Sequence, residues 1–100
     1  MISAVIITYN EERIIARSID SLKSVVDEVI VIDSFSTDRT IEICKEKGAV
    51  VFQNKFEGYK TQKHFAATKA KHEWILSIDA DEVLSNELIN SLLKWRKNHK

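Results

Sequence analysis

Apolar residues gather in short runs along this chain, each followed by a stretch in which they recur every three or four positions. Ile2 to Thr8 (I-S-A-V-I-I-T) is rich in β-branched residues and reads as a buried strand. Asn10 can cap the helix that follows, with Glu11 and Glu12 in its first turn, where the helix dipole favours negative charge. Ile14, Ile15, Ser18, Ile19 and Leu22 then share one helical face. A second run, Glu28 to Ile32, stops at Asp33. Ser36 or Thr37 can cap the next helix, with Asp38 in its first turn and Ile41, Ile43 and Cys44 as its apolar positions. Gly48 suits the left-handed residue that closes it. Ala49 to Phe52 is a third strand, Gln53 to Tyr59 a loop, and Thr61 to Lys71 a helix rich in Lys and Ala. Trp74 to Ile78 is the fourth strand, and Ser85 caps a last helix carrying Leu88, Ile89, Leu92, Leu93 and Trp95.

This β-α-β-α-β-α-β-α order predicts an α/β fold, a parallel sheet with helices on both faces and right-handed crossovers. Ligands of such sheets bind beyond the carboxyl ends of the strands, where strand order reverses. The polar residues expected on that rim are Thr8-Tyr9-Asn10-Glu11, Asp33-Ser34 and Asp79-Ala80-Asp81. In the last group Glu82 follows at once, so three carboxylates crowd the exit of an apolar strand. They repel one another unless something positive neutralises them. A hard divalent cation, Mg2+ or Mn2+, takes oxygen ligands of this kind. The rim therefore reads as a small-molecule site for a metal and a nucleotide.

Composition narrows the field. With 100 residues, 44% hydrophobic and 30% charged, the chain makes a single domain. Lys+Arg equals Asp+Glu at 15 each, which argues against a dedicated nucleic-acid binder. Cys44 is the single cysteine, so a disulfide framework and a multi-cysteine zinc site are excluded, and a reducing cytosol is the natural compartment. Its apolar helical setting makes Cys44 a core residue rather than a nucleophile. No apolar stretch approaches the roughly 20 residues that span a bilayer. Met1-Ile2-Ser3 leads directly into a strand, without the basic segment of a signal peptide. With no proline and only 2 glycines, turns fall to Asn, Asp and Ser.

T-Y-N-E-E (Thr8 to Glu12), D-S-F-S-T-D-R-T (Asp33 to Thr40), G-Y-K-T-Q-K (Gly58 to Lys63) and W-I-L-S-I-D-A-D-E (Trp74 to Glu82) together resemble the family 2 glycosyltransferases of GT-A fold. The likeness is nearest to their lipopolysaccharide-core glucosyltransferase branch. A lone D-x-D is frequent by chance; several motifs in register are not. The resemblance implies the Rossmann-like half of a nucleotide-diphospho-sugar transferase. Thr8, Tyr9, Asn10 and Glu11 would then line the pocket for base and ribose. Asp33 would accept a hydrogen bond from the uracil imide or the ribose, and Lys63 would approach the diphosphate or sugar. Asp79 would contact ribose or sugar hydroxyls. Asp81, with Asp79 beside it, would bind Mg2+ or Mn2+ bridging the phosphates. The implied partners are a UDP-sugar, UDP-glucose foremost, and a bacterial glycan or glycolipid acceptor. The implied place is the cytoplasm, compatible with peripheral association at the inner face of the membrane.

Two positions depart from the family pattern. Phe35 stands where glycine is usual, so the loop after the second strand is expected to be shaped differently. His64 replaces an asparagine. The family's general base lies well beyond the D-x-D, and neither Glu57, Glu82 nor Glu87 occupies its place. The expectation is therefore a donor-binding part that holds nucleotide and metal weakly and transfers sugar slowly or not at all. In such a part Leu92, Leu93 and Trp95 are expected to be exposed or buried in self-association through the last helix.

Plainer readings stand beside these. Asp38 reads as a first-turn carboxylate, Glu82 as a residue serving the next helix, and His72 and His99 as surface. Lys60, Lys63, Lys69 and Lys71 read as a solvated face, of which only Lys63 gains from the motif. Two other functions compete: a nucleotide-binding module without catalysis, and a response-regulator-like receiver. The receiver is disfavoured because it needs paired acids after the first strand, where this chain has Thr-Tyr-Asn. Nucleotidyltransferases share the D-x-D logic but carry a Gly-rich basic loop after the first strand, which is missing here.

Overall fold

The computed structural model describes residues 1–99. Four parallel strands form one sheet: β1 (Ile2–Thr8), β2 (Glu28–Asp33), β3 (Val50–Gln53) and β4 (Trp74–Asp79), in the order β3-β2-β1-β4. They alternate with α1 (Ile15–Leu22), α2 (Thr40–Glu46), α3 (Tyr59–Lys69) and α4 (Asn86–Asn98). Chain order runs outward from β1 through β2 to β3, then crosses back to put β4 on the other side of β1. The strand order thus reverses between β1 and β4.

Side chains on a strand alternate between faces, and here the two faces are covered unequally. Ile2, Ala4 and Ile6 of β1 and Val31 of β2 meet Ile15, Ile19 and Leu22 of α1, Cys44 of α2, and Ile89, Leu92 and Trp95 of α4. The opposite face, with Val5, Ile30 and Ile32, is covered by Ala66 and Phe65 of α3. Burying each α1 side chain contributes about 1.5–3 kcal/mol. Three such residues, at helical spacing, make α1 the main anchor of its face.

The fourth apolar run does form a strand, but an edge one: Trp74 is 42% and Ile75 45% exposed. Periodicity announces a strand without saying who its neighbours are. Leu93 of α4 is also exposed, whereas Trp95 is half-buried and packs edge-on against Trp74, 5.0 Å between ring centroids. Three boundary expectations need correction. α1 begins at Ile15 and has no side-chain cap, because Asn10 is engaged elsewhere. Neither Ser36 nor Thr37 caps α2; Asp38 accepts from the Thr40 N–H at 2.9 Å and also from the Thr40 hydroxyl. α3 starts two residues earlier than expected, at Tyr59, after Gly58 at φ 114°. Ser85 does cap α4, accepting from Leu88 N–H at 3.1 Å.

Candidate functional site

At the carboxyl ends of β1 and β4 the chain turns sharply. Asp79 to Glu82 form a turn in which Glu82 N–H donates to the Asp79 carbonyl (2.9 Å) and Asp79 N–H to the Glu82 carboxylate (2.8 Å). Glu82 is thereby occupied with main chain. Ala80 is buried in the larger core cluster and pins the turn, so Asp79 and Asp81 project into solvent on either side of it. The small middle residue of D-A-D is thus the one that faces the core.

Asp79 and Asp81 line a cavity of about 500 Å³ together with Ile7, Glu11, Ser77, Tyr59 and Lys63. Tyr59 and Lys63 are one helical turn apart on α3, on the same face. Partial burial, reinforced by the negative charges of Asp81 and Asp38, raises the Glu11 carboxyl above its ordinary value. Glu11, Asp79, Asp81 and Lys63 take part in none of the ion pairs among the described residues. The donor set is all oxygen and suits a hard cation. It is incomplete alone: among the described residues no three His, Cys, Asp or Glu side chains stand close enough to hold a metal.

A second cavity, about 430 Å³, adjoins the first and shares Ile7, Glu11 and Tyr59 with it. Its further walls are Thr8, Tyr9, Ser34, Phe35, Lys55 and Phe56. The two form one crevice, aromatic at one end and acidic at the other, at the point where strand order reverses. Phe56 and Tyr59 meet edge to face, 5.1 Å between ring centroids.

Behind the aromatic end lies a network that fixes the loops. Asp33, the last residue of β2, is fully buried and accepts from the Thr8 hydroxyl (2.7 Å), the Ser36 N–H (2.7 Å) and the Ser36 hydroxyl. Asn10 accepts through Oδ1 from Thr37 N–H (2.8 Å), while its own N–H donates to Ser36 Oγ (2.8 Å). Glu11 N–H donates to Thr40 Oγ1 at 2.8 Å. These bonds lace the β1–α1 loop to the β2–α2 loop. Gln62 of α3, also fully buried, donates to Ser34 Oγ (3.0 Å) and accepts from Asn54 (2.9 Å), tying α3 to the same rim.

Thr8, Tyr9, Glu11, Lys63, Asp79 and Asp81 therefore stand on the crevice wall. Asp33 and Asn10 do not: Asp33 holds the wall's loops from within the core, and the exposed Asn10 laces them at the surface. Ser34, expected on the rim, is on the wall too, whereas Lys55, Phe56, Tyr59 and Ser77 are wall residues absent from the expected set; Tyr59 lay inside a motif but was read as loop. Asn10 and Phe35 adopt positive φ, 50° and 57°. For a non-glycine residue that conformation costs roughly 1–2 kcal/mol, least for Asn. Phe35 is thus carried by the loop in a glycine-like backbone state. Cys44 is buried in the core, where burial, with Asp33 nearby, pushes its thiol up to about 12 and leaves it unreactive.

The model of glycosyl transferase family 2 matches residues 3–100, and the chain belongs to that family. An uncharacterized glycosyltransferase of Rickettsia felis is 55% identical over 87 residues, covering 87% of this chain and 31% of the relative. The chain thus spans under a third of that relative's length. Glucosyl-3-phosphoglycerate synthase of Mycobacterium tuberculosis, solved in complex with Mn2+, UDP and glucosyl-3-phosphoglycerate, superposes with TM-score 0.71 at 29% identity, over 80% of this chain and 33% of the synthase. S. aureus TarS (residues 1–349) shares the fold, with TM-score 0.73 at 24% identity over 98% of this chain and 32% of TarS.

Proposed function

We propose that this chain is the donor-binding part of a glycosyltransferase that uses a UDP-sugar, UDP-glucose foremost, with Mg2+ or Mn2+. The observation that carries the reading is the single crevice at the β1/β4 reversal, with aromatic rings at one end and Asp79, Asp81, Glu11 and Lys63 at the other. A nucleoside diphosphate has this polarity: a flat base, then charged phosphates. The synthase bound to Mn2+ and UDP, at 29% identity, supports the same assignment.

Thr8 and Tyr9 receive the nucleoside beside Ser34, and Lys63 draws the diphosphate toward β4. Asp81, with Asp79, holds the cation, and the phosphates complete its incomplete oxygen set. The cation supplies electrostatic stabilisation of the departing diphosphate. Asp33 and Asn10 act by positioning the loops. The acceptor is a glycan or glycolipid of the bacterial surface, such as a lipopolysaccharide core, and the reaction runs in the cytoplasm near the inner face of the membrane.

UDP titration with and without Mn2+, repeated on Asp81→Ala, tests this. Mn2+ is expected to strengthen UDP binding at least about tenfold, or 1.4 kcal/mol, and the substitution to erase that gain. UDP binding indifferent to Mn2+ and to Asp81 would sink the proposal. A second reading, nucleotide binding without transfer, is favoured by one observation: Glu11, Asp79 and Asp81 all cluster at the cation end and Glu82 is bound to main chain, which leaves no free carboxylate on the wall as general base. Release of glucose from UDP-glucose by the purified chain separates the two.

A further inference from the structure

Four exposed aromatic side chains surround the smaller cavity: Tyr9 (57%), Phe35 (60%), Phe56 (44%) and Tyr59 (70%). Single exposed rings are ordinary; a convergent set around one concavity marks a binding surface. Phe35 differs from the others in how it is held. Its N–H donates to the Gln53 carboxamide at 3.0 Å. On one side Ser34 N–H is fixed to the Thr8 carbonyl (3.0 Å), and on the other Ser36 is gripped by the buried Asp33. Residues 34 and 35 thus arch between two fixed points, with Phe35 at φ 57°. Glycine would take that backbone state without strain. The chain instead keeps a large ring there and leaves it in solvent, so the ring has a use that folding does not supply.

We propose that Phe35 is a base-stacking residue, locked at the crevice mouth by its left-handed backbone, which sets affinity for the nucleoside end of the donor and not for its diphosphate end. This rests on the reading that the crevice takes a nucleoside diphosphate. Base–aromatic stacking tolerates any base because every base has a π-face. Phe35 therefore adds affinity without choosing among bases, a choice left to polar neighbours such as Ser34.

The test uses the intact chain with Mn2+ throughout and compares UDP with inorganic pyrophosphate as probes. Phe35→Gly is expected to weaken UDP at least about fivefold, the range of one stacked base, and to leave pyrophosphate unchanged. Its urea midpoint should equal or exceed that of the parent, because the strained backbone is relieved. Phe35→Trp, which restores a ring, should restore UDP affinity. Equal UDP affinity in Phe35→Gly and the parent overturns the proposal, as does an equal loss for UDP and pyrophosphate. A parent chain that binds pyrophosphate but not UDP overturns the donor reading itself, and the Phe35 role with it.

Discussion

The two ends of the sheet treat charge in opposite ways. Where the strands begin, the two acids at the start of β2, Asp27 and Glu28, both have partners. Asp27 accepts from Ile2 N–H at 2.7 Å and from the Arg96 guanidinium, which also donates to the Val25 carbonyl at 2.6 Å. Glu28 accepts from the Ser3 hydroxyl (3.1 Å) and Lys71 N–H (3.0 Å), with His72 Nε2 4.0 Å away; His72 is half-buried there, not on the surface as expected. Trp95 stacks on His99, 4.2 Å between centroids. Where the strands end, Glu11, Asp79 and Asp81 face a shared crevice without an ion-pair partner, and both non-glycine residues of positive φ lie in the loops there. The first end is arranged as folding alone would arrange it. The second keeps repulsion and strain in place, as functional sites commonly do.

Asp33 breaks that division, since it lies at the functional end yet is buried and satisfied. Its removal should have the largest effect. Asp33→Ala leaves the Thr8 hydroxyl and two Ser36 donors without their acceptor, and buried orphans of this kind cost about 1–3 kcal/mol each. Allowing for relaxation and water entry, we expect a loss on the order of 3 kcal/mol in urea unfolding, accompanied by loss of UDP binding as the two loops part. A variant that kept both stability and UDP binding would show the network to be incidental.

The division was legible in the sequence in some places and not in others. β1 has the expected bounds because five of its seven residues are β-branched and Tyr9-Asn10 ends the apolar run at once. The D-A-D turn was legible too, since apolar residues giving way to paired acids can do little but leave the core. Asn10 was misread because a cap is a contact, and a one-dimensional pattern cannot show that its oxygen meets Thr37 rather than its own helix. Asp33 held an unused clue: it continues the alternation Val29, Val31, Asp33, which points inward toward the α1 and α2 layer. Phe56 and Tyr59 bracket Gly58, and that pairing of rings with a flexible residue was a signal for a pocket wall.

At the paired end, Arg96→Ala should cost about 1–2 kcal/mol, the range of a charge-assisted hydrogen bond in partial solvent, and should leave UDP binding untouched. The pH dependence sharpens this. Burial works to raise the Asp27 carboxyl, but the hydrogen bonds from Arg96 and Ile2 and the Arg96 charge outweigh it and hold it below its ordinary value. A depressed carboxyl stabilises the fold above its unfolded pKa of about 3.9, and that increment is lost as pH falls through the folded value. Thermal unfolding between neutral and acid pH should therefore fall more steeply in the parent than in Arg96→Ala. Parallel curves would mean that Asp27 draws its stabilisation elsewhere.

The smallest effect belongs to the unpaired end and has the opposite sign. Partial burial first, then Asp81 and Asp38, raise the Glu11 carboxyl. A raised carboxyl favours the fold below its unfolded pKa, about 4.3, and the advantage disappears as pH rises through the folded value. At neutral pH the ionised Glu11 is thus a mild liability. Glu11→Gln removes it and should stabilise the free protein by roughly 0.3–0.5 kcal/mol, the scale of an exposed like-charge pair. A cation brought in with UDP reverses the balance, because it favours the carboxylate and expels any proton held there. Calorimetry near pH 5 in two buffers of different ionisation enthalpy should record proton release when the parent binds Mn2+ and UDP, and less in Glu11→Gln. The same substitution should then weaken the complex while strengthening the free fold, a crossing of signs that no paired acid at the other end of the sheet can produce.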